Sequence, residues 1–470
     1  DMVKFLYKFL VLILIIIFSS IIYLSVFGFK TDKFNDLIQG KANEVNRHVK
    51  LEFKETKIHL NIRKLKLLVK LEEPKIIVKK NKIDLSKLDL LLSLRSLYTS
   101  DFLLEKGTVA FEKNDIKDLV KITNIFLPTI INNRLNKIFA RGSLEGEFII
   151  PFTPDGNISE KYKFKGKVIE ADINISKDYK LKSLSAELNY GEDELSEVLR
   201  IVIKKGSLLT LEIMESFIDI AFKKDSRSIQ STIHTKGNIN SSQVNNFFSL
   251  IGFKNNLKNI NLTSDLITSV NLDISKKFKV NNLKYSSKGT IEKLQLNLDK
   301  KKIIKEFLPN FNSNLTLKKA KIDFLHLIDG NQSLTIDGSI KFGDEFEKIK
   351  IKQSYNPESK KYNIEGLSTL NTTSLNISNL NYKKDKNEIG EVNFNVDFVK
   401  NDYFLINSLS YFSNENEIKL SKIKLNKKIQ IIDLKSLIIK TYLKKIKNND
   451  FTITKNKKIL VKGDIFDAQP

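Results

Sequence analysis

The chain has 470 residues, a formal net charge of +24, 41% hydrophobic residues, 7 Pro and 18 Gly. That hydrophobic share excludes a disordered chain, and the length suits several ordinary domains or one long array. There is no Cys, which excludes disulfide staples, zinc-thiolate clusters and thiol catalysis.

The positive charge invites a nucleic-acid reading, which the residue types oppose. Of 79 basic residues only Arg47, Arg63, Arg95, Arg134, Arg141, Arg200 and Arg227 are arginine; the rest are Lys. Bidentate reading of guanine or phosphate is largely arginine work. Lys here is scattered along alternating runs without one dense block, so no nucleic-acid partner is expected.

The N-terminal stretch Phe9 to Phe29, FLVLILIIIFSSIIYLSVFGF, carries no charge. As a helix, such a stretch spans about 31 Å, the thickness of a bilayer core. A cleavable signal would have a shorter apolar core ending in small residues. Here Tyr23, Leu24, Val26, Phe27 and Phe29 carry the hydrophobicity to its end, which favours a retained anchor. Lys4 and Lys8 precede it and place residues 1–8 on the cytoplasmic side. The bulk of the chain is then expected beyond the inner membrane of a bacterium, in the periplasm.

A short helix is expected at 33–47, with Phe34, Leu37, Ile38, Ala42 and Val45 on one face and Asp32 or Asn35 as cap. The period then changes to two. In KIHLNIRKLKLLVKL the adjacent Arg63 and Lys64 shift the phase, which reads as a strand, a bulge or bend, and more strand. A hairpin turning at Lys80 to Lys82 follows, then an irregular stretch at Ser96 to Asp101.

A second helix is expected after Asn114 as N-cap, broken or restarted at Pro128, and a third from Ser241 or Ser242 with Val244, Phe247, Phe248 and Ile251 as its stripe. From Lys258 onward strand follows strand, in VNLDI, KLQLNLD, LNISNLNY, VNFNVDF and IKLSKIKL. Turns are expected at Asp329-Gly330-Asn331, Asp337-Gly338-Ser339 and Lys384 to Glu388. Roughly 25 to 30 mostly antiparallel strands result. Stacked side by side they make a sheet on the order of 100 Å long, which twists, and whose apolar face needs cover.

The anchor, the helix at 33–47, the strands of 57–112, the helix at 115–139 and RGSLEGEFIIPF (Arg141 to Phe152) resemble the AsmA-like proteins of Gram-negative bacteria, in particular the YhdP branch. IVIKKGSLLTLEIMESFIDIAF (Ile201 to Phe222) and the closing NDFTITKNKKILVKGDIFDAQP carry the same likeness, one of layout without a catalytic motif. The resemblance implies a mainly β fold: an inner-membrane anchor and an elongated, curled antiparallel sheet forming a taco-like groove with a few packing helices. It implies carriage of phospholipid toward the outer membrane. It also implies a chain that continues past residue 470.

The expected layout is a cytoplasmic tail at 1–8, an anchor at 9–29, a helix and β module at 31–112, a helical segment at 113–141 and the β-groove at 142–470. Lipid-groove candidates are Val270, Leu272, Ile274, Leu294, Leu296, Leu298, Val392, Phe394, Val396 and Phe398, whose plainer role is ordinary sandwich core. Expected partners are membrane phospholipids, the inner membrane and outer-membrane or periplasmic envelope proteins. His48, His59, His234 and His326 lie in no metal or nucleophile motif, so neither enzyme activity, a metal nor a cofactor is expected. The alternative function is a non-transporting, membrane-anchored periplasmic scaffold for envelope or outer-membrane protein assembly.

Overall fold

A computed structural model of the chain describes residues 2–45, 48–78, 81–97, 103–123, 137–155, 157–159, 161–175, 179–191, 197–243, 245, 260–277, 279–297, 305–399, 403–426, 431–455 and 458–467. Among these the fold is mainly β, with 28 strands and three α-helices. Two compact units are present: Asp1–Leu209 with Glu215–Arg227, and Thr210–Met214 with Ser228–Pro470.

The first unit opens on the helix Met2–Val26. Its segment Leu6–Val26 has a mean hydropathy of 2.9 and no part of it is buried in the protein. Leu and Ile point out all round, as in a helix whose solvent is lipid. This one N-terminal helix is long and apolar enough to span a membrane, which fits single-pass anchoring.

The helix Asn35–Val45 packs on the first strands of the large sheet. Its Ile38 and Ala42, with Phe34 just before it, pack on Val49, Leu51, Ile58, Leu67, Val69, Leu71 and Val78. Each apolar side chain fully buried there contributes about 1.5–3 kcal/mol. Arg63 and Lys64 lie in the turn of a hairpin, since Glu55–Asn61 pairs antiparallel with Lys66–Glu72. The expected bulge is therefore corrected. Leu65 takes a φ of 48°, and two adjacent polar residues mark a reversal as readily as a phase shift.

The pairing continues antiparallel through Asn81–Ser93, Leu104–Asp115, Phe139–Pro151, Lys163–Asn174, Lys180–Tyr190, Val198–Leu208 and Ser216–Phe222. The helix Ile116–Thr123 buries Ile116 and Val120. Its cap is Asp115, whose Oδ1 accepts from the Lys117 amide at 2.7 Å, rather than Asn114. Pro128 lies outside the described residues.

In the second unit, residues 241–243 are helical. Asn240 and Gln243 exchange backbone-to-side-chain bonds at 2.9 and 3.1 Å, so Asn240 supplies the cap in place of Ser241 or Ser242. The expected stripe at Val244, Phe247, Phe248 and Ile251 falls outside the described residues. From Asn261–Ser275 to Ile459–Ile465, twelve strands pair in chain order in an antiparallel meander, with residues 370–390 inserted between Lys361–Thr369 and Glu391–Val399. The four alternating runs VNLDI, KLQLNLD, VNFNVDF and IKLSKIKL contribute to it, with the end of KLQLNLD beyond the described residues.

LNISNLNY does not form one strand. Leu375–Ile377 and Tyr382–Lys384 pair with each other around a 3-10 turn at Ser378–Leu380. Asp337-Gly338-Ser339 is no turn either; it lies within the strand Gln332–Lys341. A Cβ on Gly338 would stand 2.6 Å from the Cα of Ala320, so glycine serves a close approach of strands there.

Candidate functional site

Antiparallel partners directly opposite each other lie on the same face of a sheet, so the register of the second unit reads as rows crossing the strands. One row runs Ile349, Ser368, Val392, Tyr411, Ile418, Ile439 and Phe451. The next runs Ile336, Ile351, Gly366, Phe394, Leu409, Leu420, Leu437, Ile453 and Val461. A third holds Phe324, Leu334, Gln353, Ile364, Val396, Ile406, Ile423 and Leu434. The last holds Val270, Tyr285, His326, Gln332, Tyr355, Tyr362, Phe398, Phe404, Leu425 and Ile431. Lys350, Lys352, Glu365, Asn393 and Asn395 alternate with these and take the opposite, polar face.

Burial is greatest in the first row, and Ile423 and Leu434 of the third are buried too. In the first, all but Val392 are buried, including Ile349, Ser368, Tyr411, Ile418, Ile439 and Phe451. In the last row no member is buried, and Phe404 and Ile431 are exposed.

The buried margin owes its cover to residues 370–390. Leu370 and Tyr382 pack with Tyr411, Ile418, Ile439 and Phe451, joined by Leu375, Ile377 and Leu380. The hydroxyls of Tyr382 and Tyr411 meet at 2.9 Å. Asn449 donates to the Leu380 carbonyl at 2.7 Å.

Glu347, 2% exposed, fixes the base of this segment. Its carboxylate accepts from Thr369 Oγ1, the Thr372 amide and hydroxyl, and Thr373 Oγ1, at 2.6–3.1 Å. Burial pushes the Glu347 pKa up, but these bonds outweigh it and hold it below the ordinary carboxylate range. Lys384, fully buried, donates to the carbonyls of Thr373 and Asp385. Burial lowers its pKa against the pull of Glu388, Glu347 and Asp385.

The candidate residues separate in this frame. Val392, Phe394, Val396 and Phe398 share the apolar face, each in a different row, and Val270 shares the row of Phe398. Leu294 packs with the buried Ile291, Leu317, Ala320 and Ile349, and Val392 with Tyr411 and its neighbours; both help build a core margin. Leu296 opposes Leu315. Leu272 sits at a break in register, where Asn282 has a φ of 52°, and Ile274 opposes Val280 beside the turn. Leu298 lies outside the described residues. Phe394 does not simply project from the sheet. Its ring lies across Gly366 on the adjacent strand, where an added Cβ would clash with Phe394 Cζ.

The aromatic row was not singled out by sequence. Ring centroids are 4.4 Å apart for Tyr355 and Tyr362, 6.1 Å for Tyr362 and Phe398, 4.7 Å for Phe398 and Phe404, and 4.7 Å for Tyr285 and His326. A signal existed: Tyr355 and Tyr362 flank one hairpin turn symmetrically, as Phe398 and Phe404 flank the next. His234 Nε2 lies 2.7 Å from Asp265 Oδ1, a cross-strand pair at the sheet surface.

No family model matches the chain, and comparison with curated proteins and with solved structures returns no match.

Proposed function

We propose that the chain is a membrane-anchored carrier of phospholipid, whose acyl chains travel along the apolar face of the second unit. The observation that carries the proposal is the continuity of that face across successive strands, with full burial confined mainly to one margin. Rows crossing seven to ten strands at about 4.8 Å spacing give a path on the order of 30–45 Å, longer than one lipid needs for a pocket. The face curls into a groove in this reading, because a twisted sheet of this width closes round its apolar side. Each methylene kept from water is worth about 0.8 kcal/mol. Because Val, Ile, Leu and Phe repeat from strand to strand, a lipid exchanges like contacts for like and meets no deep well along the way.

In this reading the N-terminal helix holds the chain in the inner membrane of a Gram-negative cell. The bulk stands in the periplasm and passes lipid toward the outer membrane, with envelope proteins as further partners. The resemblance to AsmA-like proteins supports it, as does the absence of any demand for fixed polar ligand contacts. A scaffold predicts instead a dry, packed face.

Replacing Ile351 with photoreactive p-benzoylphenylalanine in the full chain and irradiating native membranes is expected to trap phospholipid. The same replacement at Lys352, one residue along on the polar face, is expected to trap none. Equal trapping at both positions, or at neither, would contradict the proposal.

A further inference from the structure

The apolar face of the second unit changes chemistry from one margin to the other. At the margin under residues 370–390 the row holds the aliphatic Ile349, Val392, Ile418 and Ile439 with Ser368, Tyr411 and Phe451, all buried but Val392. The connections on that side carry Glu306, Asp344, Glu345, Asp385, Glu388 and Glu415 beside Lys305, Lys386, Lys444 and Lys445. At the opposite margin the aromatic row comes last. Beyond it the turns carry exposed Lys276, Lys277, Lys279, Lys360 and Lys458, against Asp329 and Glu358. From margin to margin the order is aliphatic side chains, aromatic rings, then ammonium groups.

The spacing fits a lipid lying along the strands. Four rows two residues apart span about 20 Å, and half a bilayer with its headgroup region is also about 20 Å. Aromatic rings with one polar edge suit the ester and glycerol level, where apolar and wet surroundings meet. Lysines just beyond them favour a phosphate and, more strongly, a headgroup with net negative charge.

We infer that the margin of Tyr285, Tyr355, Tyr362, Phe398 and Phe404 is the headgroup side of the path, and that its lysine turns select anionic phospholipids. The inference rests on the proposed function and adds a lipid orientation and a lipid class to it. The acyl ends point toward Ile349, Ile418 and Ile439. The phosphate stands over the turns holding Lys277, Lys279, Lys360 and Lys458.

Purified full chain in detergent, incubated with vesicles of phosphatidylglycerol and phosphatidylcholine in equal amounts, reports the selection by the lipids it retains. Wild type is expected to enrich phosphatidylglycerol about threefold. Combined Lys277→Gln, Lys279→Gln, Lys360→Gln and Lys458→Gln changes only exposed turn residues, and is expected to bring the ratio to about one with the total unchanged. Lys350→Gln with Lys352→Gln on the other face is expected to leave the enrichment in place. Equal retention by wild type, or a ratio indifferent to the turn lysines, overturns the selection. Phospholipids with a photoreactive group in the headgroup or at the acyl end test the orientation. Headgroup probes are expected on peptides near Tyr355 and Tyr362, acyl probes on peptides near Ile418 and Ile439, and the reverse pattern overturns it. Wild type that retains neither lipid overturns the proposed function, and this inference with it.

Discussion

Glu347 and Gly366 show how single residues hold the second unit's sheet in register. The lowered pKa of Glu347 has a defined sign: below the ordinary carboxylate range the unfolded chain binds the proton more readily than the folded one. The stability Glu347 contributes is therefore full above that range and is lost as pH falls from the ordinary value through the lowered one. Glu347→Gln is expected to cost about 1–3 kcal/mol at neutral pH and to flatten this acid limb in unfolding curves recorded against pH. Limbs of equal slope in the two proteins would contradict the assignment.

Asp397, 7% exposed, obeys the same sign. Burial raises its pKa, but bonds from Asn363, Asn407 and Lys361 outweigh it. At Gly366 the Phe394 ring occupies the space a side chain needs. Gly366→Val is expected to destabilise by about 1–3 kcal/mol, and by clearly less when Phe394→Ala is already present. Additive denaturation free energies would show that the ring does not rest there.

Among the elements, the N-terminal helix makes the plainest prediction. Ile13 and Ile16 are both exposed near the middle of Leu6–Val26. Aspartate at each costs about 2.5–3.5 kcal/mol for insertion, so Ile13→Asp with Ile16→Asp is expected to convert an alkali-resistant membrane protein into an extractable one. The small hairpin of Leu375–Ile377 and Tyr382–Lys384 makes another. Tyr382→Ala is expected to cost about 3–5 kcal/mol and to raise binding of a hydrophobic dye, because Tyr411, Ile418 and Phe451 lose cover.

Strands such as Glu391–Val399 were legible because a period of two survives whatever lies beside them. Caps and turns were less so. Gly338 uses its missing side chain for a close approach rather than a turn, and LNISNLNY has the spacing of a strand but turns at Ser378–Leu380. The buried Glu347 and Lys384 each gave no signal, since charged residues of the same kinds stand on every solvated face. The aromatic row was hidden for a different reason: its members come from successive strands, and only the register brings them side by side.

At the scale of the whole molecule, a helix long and apolar enough to span a membrane precedes a chain of strands whose second unit carries a continuous apolar face. In the proposed reading acyl chains lie on that face. The direct test is native mass spectrometry with lipid extraction on the purified full chain, comparing wild type with Ile364→Asp plus Val396→Asp. These two residues oppose each other in the middle of the apolar face. Several phospholipids per wild-type molecule, lost from a variant with unchanged β circular dichroism and an intact anchor, is the predicted result. The same lipid load in both folded proteins would contradict it, assigning the lipid to the N-terminal helix alone and leaving the sheet a packed scaffold.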